Sequence, residues 1–173
     1  MESGNEIVNR VAASSIKVFD LEEYYVPGER VLFDIRDQLY EGVILKEKPF
    51  RDFVRDHDWS QYRDKLVAVT CSEDAIIPTW AYMLLTSALE PFARTIAFGS
   101  LEHLEAKIFG DALAEIDWQQ FTDAKVVIKG CSKVPVPTAA YVEATRRMRP
   151  FAASIMFGEP CSTVPVFKKS RPR

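Results

Sequence analysis

Leu66-Val67-Ala68-Val69-Thr70 is a short run of apolar residues that ends in a single threonine. Such a run is typical of a strand that is buried on both faces, as the strands of parallel sheets are. The segment at residues 78–89 begins with Pro78, and its length together with proline at the first position favours a helix. A strand followed directly by a helix is the unit from which parallel α/β sheets are built.

The same alternation continues towards the C-terminus. Further strands are predicted at residues 95–98, 125–129 and 152–157, and further helices at residues 101–116 and 137–148. The order over residues 65–158 is therefore β-α-β-α-β-α-β with short loops, which predicts parallel strands joined by right-handed crossovers. The carboxyl ends of these strands then lie at one edge of the sheet, where open α/β sheets bind their ligands.

The segments that flank this core carry weaker patterns. Residues 1–29 are predicted to form lead-in helices, one at residues 7–16 and a second helical turn at residues 20–25. Residues 30–64 are predicted to form an antiparallel hairpin from the β-rich runs 30–35 and 39–45, followed by a short helix. Residues 168–173 predict a flexible, basic tail.

These patterns together predict a single α/β domain over residues 1–173. We expect a largely parallel, mixed sheet with helices on both faces and an antiparallel hairpin at one edge. A chain of this length can bury a core without support from disulfides or metals.

The charge and hydropathy of the chain limit the classes of partner. The formal net charge is −3, whereas nucleic-acid binding needs a strongly basic face, so we expect no nucleic acid. The longest uncharged segment, residues 75–89, is too short and too polar to span a bilayer, so we expect no membrane. The acidic, polar start at residues 1–6 is unlike a secretory signal, and we expect a cytoplasmic protein with reduced thiols.

Cys71, Cys131 and Cys161 are the only cysteines, and each is followed by serine. Each comes shortly after a predicted strand of the core, so the topology predicts that the three thiols lie at one edge of the sheet. Their surroundings also repeat: Pro-Thr-x-Ala-Tyr follows at residues 78–82 and 137–141, and Val-Pro-Val follows at residues 134–136 and 164–166. An odd number of cysteines argues against a closed disulfide framework.

Thiolates gathered in this way favour metal chemistry. Three of them could bind Zn²⁺, with Asp74 or Glu159 as the candidate fourth ligand, or could hold an iron–sulfur cluster. Two alternatives remain open from the residues alone. One is a thiol-dependent enzyme with a pocket at the same edge, and the other is a structural or partner-binding domain whose cysteines pack as small apolar groups.

Four stretches, at residues 55–62, 71–72 with 78–82, 129–131 and 158–165, carry a likeness to a known family. Through them the chain resembles the bacterial family catalogued as domain of unknown function 2480. No activity or catalytic residue comes with this resemblance. Genes of the family often lie near iron–sulfur assembly genes, so the resemblance implies a protein partner in iron–sulfur metabolism.

Overall fold

The strands and helices alternate along the chain in a computed structural model that describes residues 16–130 and 133–170. The strands are β1 (Ile16–Asp20), β2 (Arg30–Asp34), β3 (Leu66–Thr70), β4 (Thr95–Phe98), β5 (Lys125–Lys129), β6 (Ser154–Glu159) and β7 (Ser162–Lys168). The α-helices are α1 (Glu47–Asp56), α2 (Thr79–Leu89), α3 (Leu101–Ala114) and α4 (Thr138–Met148). Short 3-10 turns occur at Leu21–Tyr24, Ile35–Gln38, Trp59–Tyr62 and Trp118–Phe121.

Contacts between Cα atoms divide the chain into two compact units. The central unit is Val26–Phe109, and the terminal unit combines Met1–Tyr25 with Gly110–Arg173. Each unit has its own sheet, with the order β2-β3-β4 in the central unit and β1-β5-β6-β7 in the terminal unit. The α/β class with largely parallel strands is therefore confirmed, but the strands form two sheets rather than one. The extent of a single domain over residues 1–173 stays a prediction.

In the central unit, β3 lies between β2 and β4 and is parallel to both. Val67 and Val69 belong to a buried cluster that includes residues of α1 and α2. Leu66 and Ala68 belong to a second cluster with Leu104 of α3. Because successive strand residues point to opposite faces, β3 is buried on both, as its uninterrupted apolar run predicts.

In the terminal unit, β5 lies between β1 and β6 and is parallel to both. The run Val126-Val127-Ile128 is buried, as is the corresponding run in β3. β7 pairs with β6 in the antiparallel sense and forms the outer edge of the sheet, with an irregular register between Ile155 and Met156.

The two units repeat the same order of elements at a constant offset. β3, α2 and β4 are followed 59 residues later by β5, α4 and β6 (66 to 125, 79 to 138 and 95 to 154). The 3-10 turns at Trp59 and Trp118 have the same offset. One supersecondary unit is therefore used twice in the chain.

Side-chain contacts follow the same repeat. The indole Nε1–H of Trp59 donates to the carbonyl of Val54 at 2.7 Å, and that of Trp118 donates to Leu113 at 3.1 Å. Asp64 and Asp123 both adopt positive φ, at 61° and 54°. Aspartate tolerates this left-handed conformation better than most residues, so both turns keep an aspartate before the buried strand.

The antiparallel hairpin predicted at residues 30–45 is wrong. β2 pairs in parallel with β3, and the Asp34 carboxylate accepts the backbone N–H of Arg36 at 3.1 Å, which starts a 3-10 turn. A single antiparallel bridge between Tyr40 and Ile44 occurs in the second run. The hairpin of this fold is formed instead by β6 and β7.

The lead-in also differs from the prediction. Ile16–Asp20 is a strand, because its residues pair with β5, whereas the helical turn predicted at residues 20–25 is confirmed as the 3-10 turn Leu21–Tyr24. The helix predicted at residues 7–16 lies, except for Ile16, outside the described residues. Lys168, where the flexible tail was predicted to begin, is the last residue of β7.

Substitution of Leu85 by alanine tests the core of the central unit. Leu85 lies on α2 and is fully buried, so Leu85→Ala is expected to lower the free energy of unfolding by about 2–5 kcal/mol. Urea unfolding followed by circular dichroism measures the change. The exposed Ser87→Ala on the same helix is the control and should change stability by less than about 0.5 kcal/mol. Equal effects of the two substitutions would contradict the burial of this face.

Candidate functional site

The carboxyl edge of the terminal sheet is where β5 and β6 end side by side. Their pairing is parallel, and Ile128 lies opposite Phe157. The direction of β6, on which the predicted placement of Cys161 depends, is therefore as predicted. Cys161 lies in the turn between β6 and β7, where it is exposed and carries a free thiol. Cys131 follows Gly130 in the sequence and lies outside the described residues.

Two glycines shape the segments that lead to these cysteines. A Cβ atom on Gly130 would lie 2.8 Å from the Tyr141 hydroxyl oxygen, so the tyrosine would have to move to admit a side chain. Gly158 has a φ of +116°, and a Cβ atom there would lie 2.7 Å from the carbonyl oxygen of Ser162. The glycine in Lys-Gly-Cys is thus explained by the close approach of the Tyr141 side chain, and the glycine in Gly-Glu-Pro-Cys by its positive φ and the close approach of backbone.

Charged side chains surround this edge. The Lys129 ammonium lies 3.1 Å from an Asp20 oxygen and 3.9 Å from a Glu159 oxygen. The hydrogen bond that Lys129 donates to Asp20, and then the negative charges of Asp20 and Glu159, raise the pKa of Lys129. Lys129 is therefore a cation that holds two strand ends together. Glu159, a candidate fourth metal ligand, already lies near this cation.

The carboxyl edge of the central sheet carries Cys71. This residue directly follows β3, packs against the core of the central unit and is partly buried, with its thiol 3.7 Å from the carbonyl oxygen of Glu73. The next residue, Ser72, donates its backbone N–H to the Asp34 carboxylate at 3.1 Å. Asp74, the other candidate fourth ligand, is exposed in the following loop.

Asp34 links the ends of two neighbouring strands. Burial alone would raise the pKa of Asp34, but hydrogen bonds from the Ser72 side chain and from the backbone of Arg36 and Ser72 outweigh it and lower that pKa. Ser72 therefore has a structural role as the partner of a carboxylate.

The prediction that the three cysteines lie at one edge of one sheet is wrong. Cys71 follows a strand of the central sheet, whereas Cys131 and Cys161 follow strands of the terminal sheet. Among residues 16–130 and 133–170, no group of three or more His, Cys, Asp or Glu side chains is arranged to hold a metal ion. Because Cys131 is not among these residues, the set of three cysteines stays a prediction.

The repeat also changes the alignment of the cysteines. β3 and β5, which precede the cysteines, and α2 and α4, which follow them, are all related by the offset of 59 residues. Cys71 therefore corresponds to Gly130, and Ser72 corresponds to Cys131. The Cys-Ser units at residues 71 and 131 are therefore displaced from each other by one position.

His57 packs among aromatic rings of the central unit. It ends α1, and its ring lies 4.5 Å from the Trp59 ring and 5.0 Å from the Phe53 ring, measured between centroids. Its Nε2 lies 3.3 Å from the Tyr62 hydroxyl. The residue at the same place in the other unit is the apolar Ile116, and the ring contacts of His57 likewise give it a packing role.

Each unit has an open apolar groove. The groove of the terminal unit lies beside α4 and β6, and that of the central unit lies beside α2 and β4. The groove of the terminal unit has a volume of about 730 Å³ and that of the central unit about 720 Å³. Tyr141 meets Phe157 edge to face at 5.7 Å in the first, and Tyr82 meets Phe98 at 4.9 Å in the second. The two tyrosines line these grooves. The sequence pattern did not indicate that the apolar residues around them are exposed.

None of the helices in the described ranges has the length and apolar character needed to cross a membrane.

Comparison with known proteins identifies one family. A family model described as "Protein of unknown function (DUF2480)" matches residues 5–169, which confirms the resemblance carried by the four stretches. No curated protein and no solved structure matches the chain.

The pH dependence of stability tests the charge cluster at the end of α4. The hydrogen bond from Arg146 is the largest cause that lowers the pKa of Glu143 from its usual 4.5 to about 2; burial opposes it, and the hydrogen bond from Arg147 and the charges of both arginines outweigh that opposition. A lowered pKa stabilises the folded state above the ordinary pKa, and this contribution is lost as the pH falls towards 2. The stability difference between wild type and Glu143→Gln should thus be constant above about pH 5 and shrink below it.

Chemical unfolding at a series of pH values measures this difference. High salt should reduce it, because the cluster is partly exposed and open to screening. A difference that does not vary between pH 5 and pH 2.5 would contradict the arrangement.

Proposed function

The chain belongs to the DUF2480 family of proteins of unknown function, and we propose that it is a non-catalytic accessory protein that binds metal through its thiols. The proposed ligands are Cys71, Cys131 and Cys161, with Asp74 or Glu159 as the fourth. The bound species is Zn²⁺ or an iron–sulfur cluster, and the proposed partner is a protein of iron–sulfur metabolism.

The parallel pairing of β5 with β6 supports this proposal most directly. Cys131 follows Gly130 just beyond β5, and Cys161 follows the end of β6, so the two cysteines come after neighbouring strand ends of one sheet. Neighbouring strands are about 4.8 Å apart. Two thiolates bound to one zinc lie about 3.8 Å apart, because Zn–S bonds are about 2.3 Å long in a tetrahedral site. The strand spacing is compatible with shared ligation.

The state of the described cysteines gives further support. Cys71 is partly buried and Cys161 is exposed, and both are free thiols. An exposed cysteine gains little from packing, so inert burial does not account for Cys161. Free thiols persist in a reducing compartment, and the proposed location is the cytoplasm.

Metal analysis of protein purified without oxygen tests the proposal. Wild type is expected to retain zinc, or iron with acid-labile sulfide, in a fixed ratio to protein. Cys131→Ser and Cys161→Ser should each lose most of the bound metal, and Cys71→Ser should weaken binding. Ser162→Ala, next to Cys161, is the matched control and should retain metal. A triple Cys→Ser variant that holds as much metal and sulfide as wild type would overturn the proposal.

A second candidate function is that of a protein-binding domain without a metal. The specific observation in its favour is the pair of open apolar grooves, whose exposed apolar side chains a bound protein would cover. In this case a triple Cys→Ala variant would keep both its fold and its partner.

A further inference from the structure

α2 in the central unit and α4 in the terminal unit each present an exposed stripe of side chains, at matching positions. The α2 stripe consists of Thr79, Met83, Ser87 and Glu90, and the α4 stripe consists of Thr138, Val142, Arg146 and Arg149. Both follow the spacing of one helix face, and each α4 residue stands 59 positions after its α2 counterpart. The two stripes are thus equivalent surfaces of the repeated unit.

The middle of each stripe is apolar and exposed. Met83 is 67% exposed and Val142 is 64% exposed. Beside them, Phe98 and Phe157 are 68% and 49% exposed, and each forms an edge of the groove next to its stripe. An aliphatic residue and an aromatic ring in contact with solvent on both surfaces favour a partner that covers them.

The ends of the two stripes carry opposite charges. α4 ends in Arg146, Arg147 and Arg149, as the helix macrodipole favours, and Glu143 pairs with the first two, which leaves this end with a net positive charge. α2 has Glu90 at its C-cap, although the macrodipole disfavours an anion there. A residue that opposes a local rule often serves an interaction. An acidic end on α2 and a basic end on α4 are complementary.

We propose that the α2 stripe of one copy of this chain packs in parallel on the α4 stripe of a second copy. Met83 then lies opposite Val142, and Glu90 lies opposite Arg149. Parallel helices that pack through small and medium side chains approach to about 8–10 Å.

Charge selects this pairing over the other parallel pairings. Two α2 stripes in parallel would bring Glu90 next to its own copy, and two α4 stripes would bring arginines together. Like charges at a contact are strongly unfavourable, so each stripe prefers the other kind. The proposal is independent of the cysteines and of any metal they bind.

Sedimentation of the full chain over a range of concentrations tests the proposal. All samples contain a reductant and a chelator, so that neither disulfides nor metal can link the chains. Wild type is expected to associate reversibly. Met83→Ser and Glu90→Arg should each weaken association at least about tenfold, because one removes the apolar contact and the other creates a repulsion. Glu115→Arg, an exposed charge reversal outside both stripes, is the control and should associate as wild type does.

A mixing experiment gives the sharpest result. Glu90→Arg has a basic residue at the end of both stripes, and Arg149→Glu has an acidic residue at the end of both, so each variant alone should associate poorly. An equimolar mixture should form a complex, because the unchanged α4 stripe of Glu90→Arg can pack on the unchanged α2 stripe of Arg149→Glu. The double variant Glu90→Arg/Arg149→Glu should also recover association. Circular dichroism confirms that each variant is folded. A wild type that stays monomeric throughout, an association that Met83→Ser leaves unchanged, or a mixture that fails to associate would each overturn the proposal.

Discussion

The parallel pairing of β1 with β5 is the contact on which the composition of the terminal sheet depends. β5 has two edges, and β1 and β6 occupy them. β4 therefore has no edge of β5 to join, and it pairs with β3 in the central sheet. This strand pairing brings together residues that are about a hundred positions apart in the chain. It also decides which cysteines follow strands of the same sheet.

The repeat distinguishes positions that maintain the fold from positions that are free to vary. Trp59 and Trp118 make the same hydrogen bond, and Asp64 and Asp123 adopt the same left-handed turn, so the unit requires these residues. Other positions differ in kind between the units. Glu90 corresponds to Arg149, and a structural requirement shared by both units cannot explain opposite charges. Such differences are where each unit can acquire its own role.

The sequence predicts the elements of this fold better than their partners. Buried runs such as Val126-Val127-Ile128 and helices that begin after proline carry strong local signals, and the order of elements over residues 65–158 is confirmed. The partner of a strand depends on tertiary contacts, so β2 was assigned to a hairpin although it pairs with β3. β1 gave no strand signal because charged Lys17 interrupts its short apolar pattern, and Pro165 concealed β7.

The candidate site was predicted in part, and the structure changes the weight of its members. The recurrence of Cys-Ser at three places was the main reason to group the cysteines. In the central unit, Ser72 has a sufficient role as the partner of Asp34, so this copy of the pattern needs no ligand to explain it. Cys131 and Cys161 remain alike in following neighbouring parallel strands and in preceding Val-Pro-Val. The argument for metal binding therefore rests first on these two thiols, with Cys71 as the ligand whose contribution is least constrained by the fold.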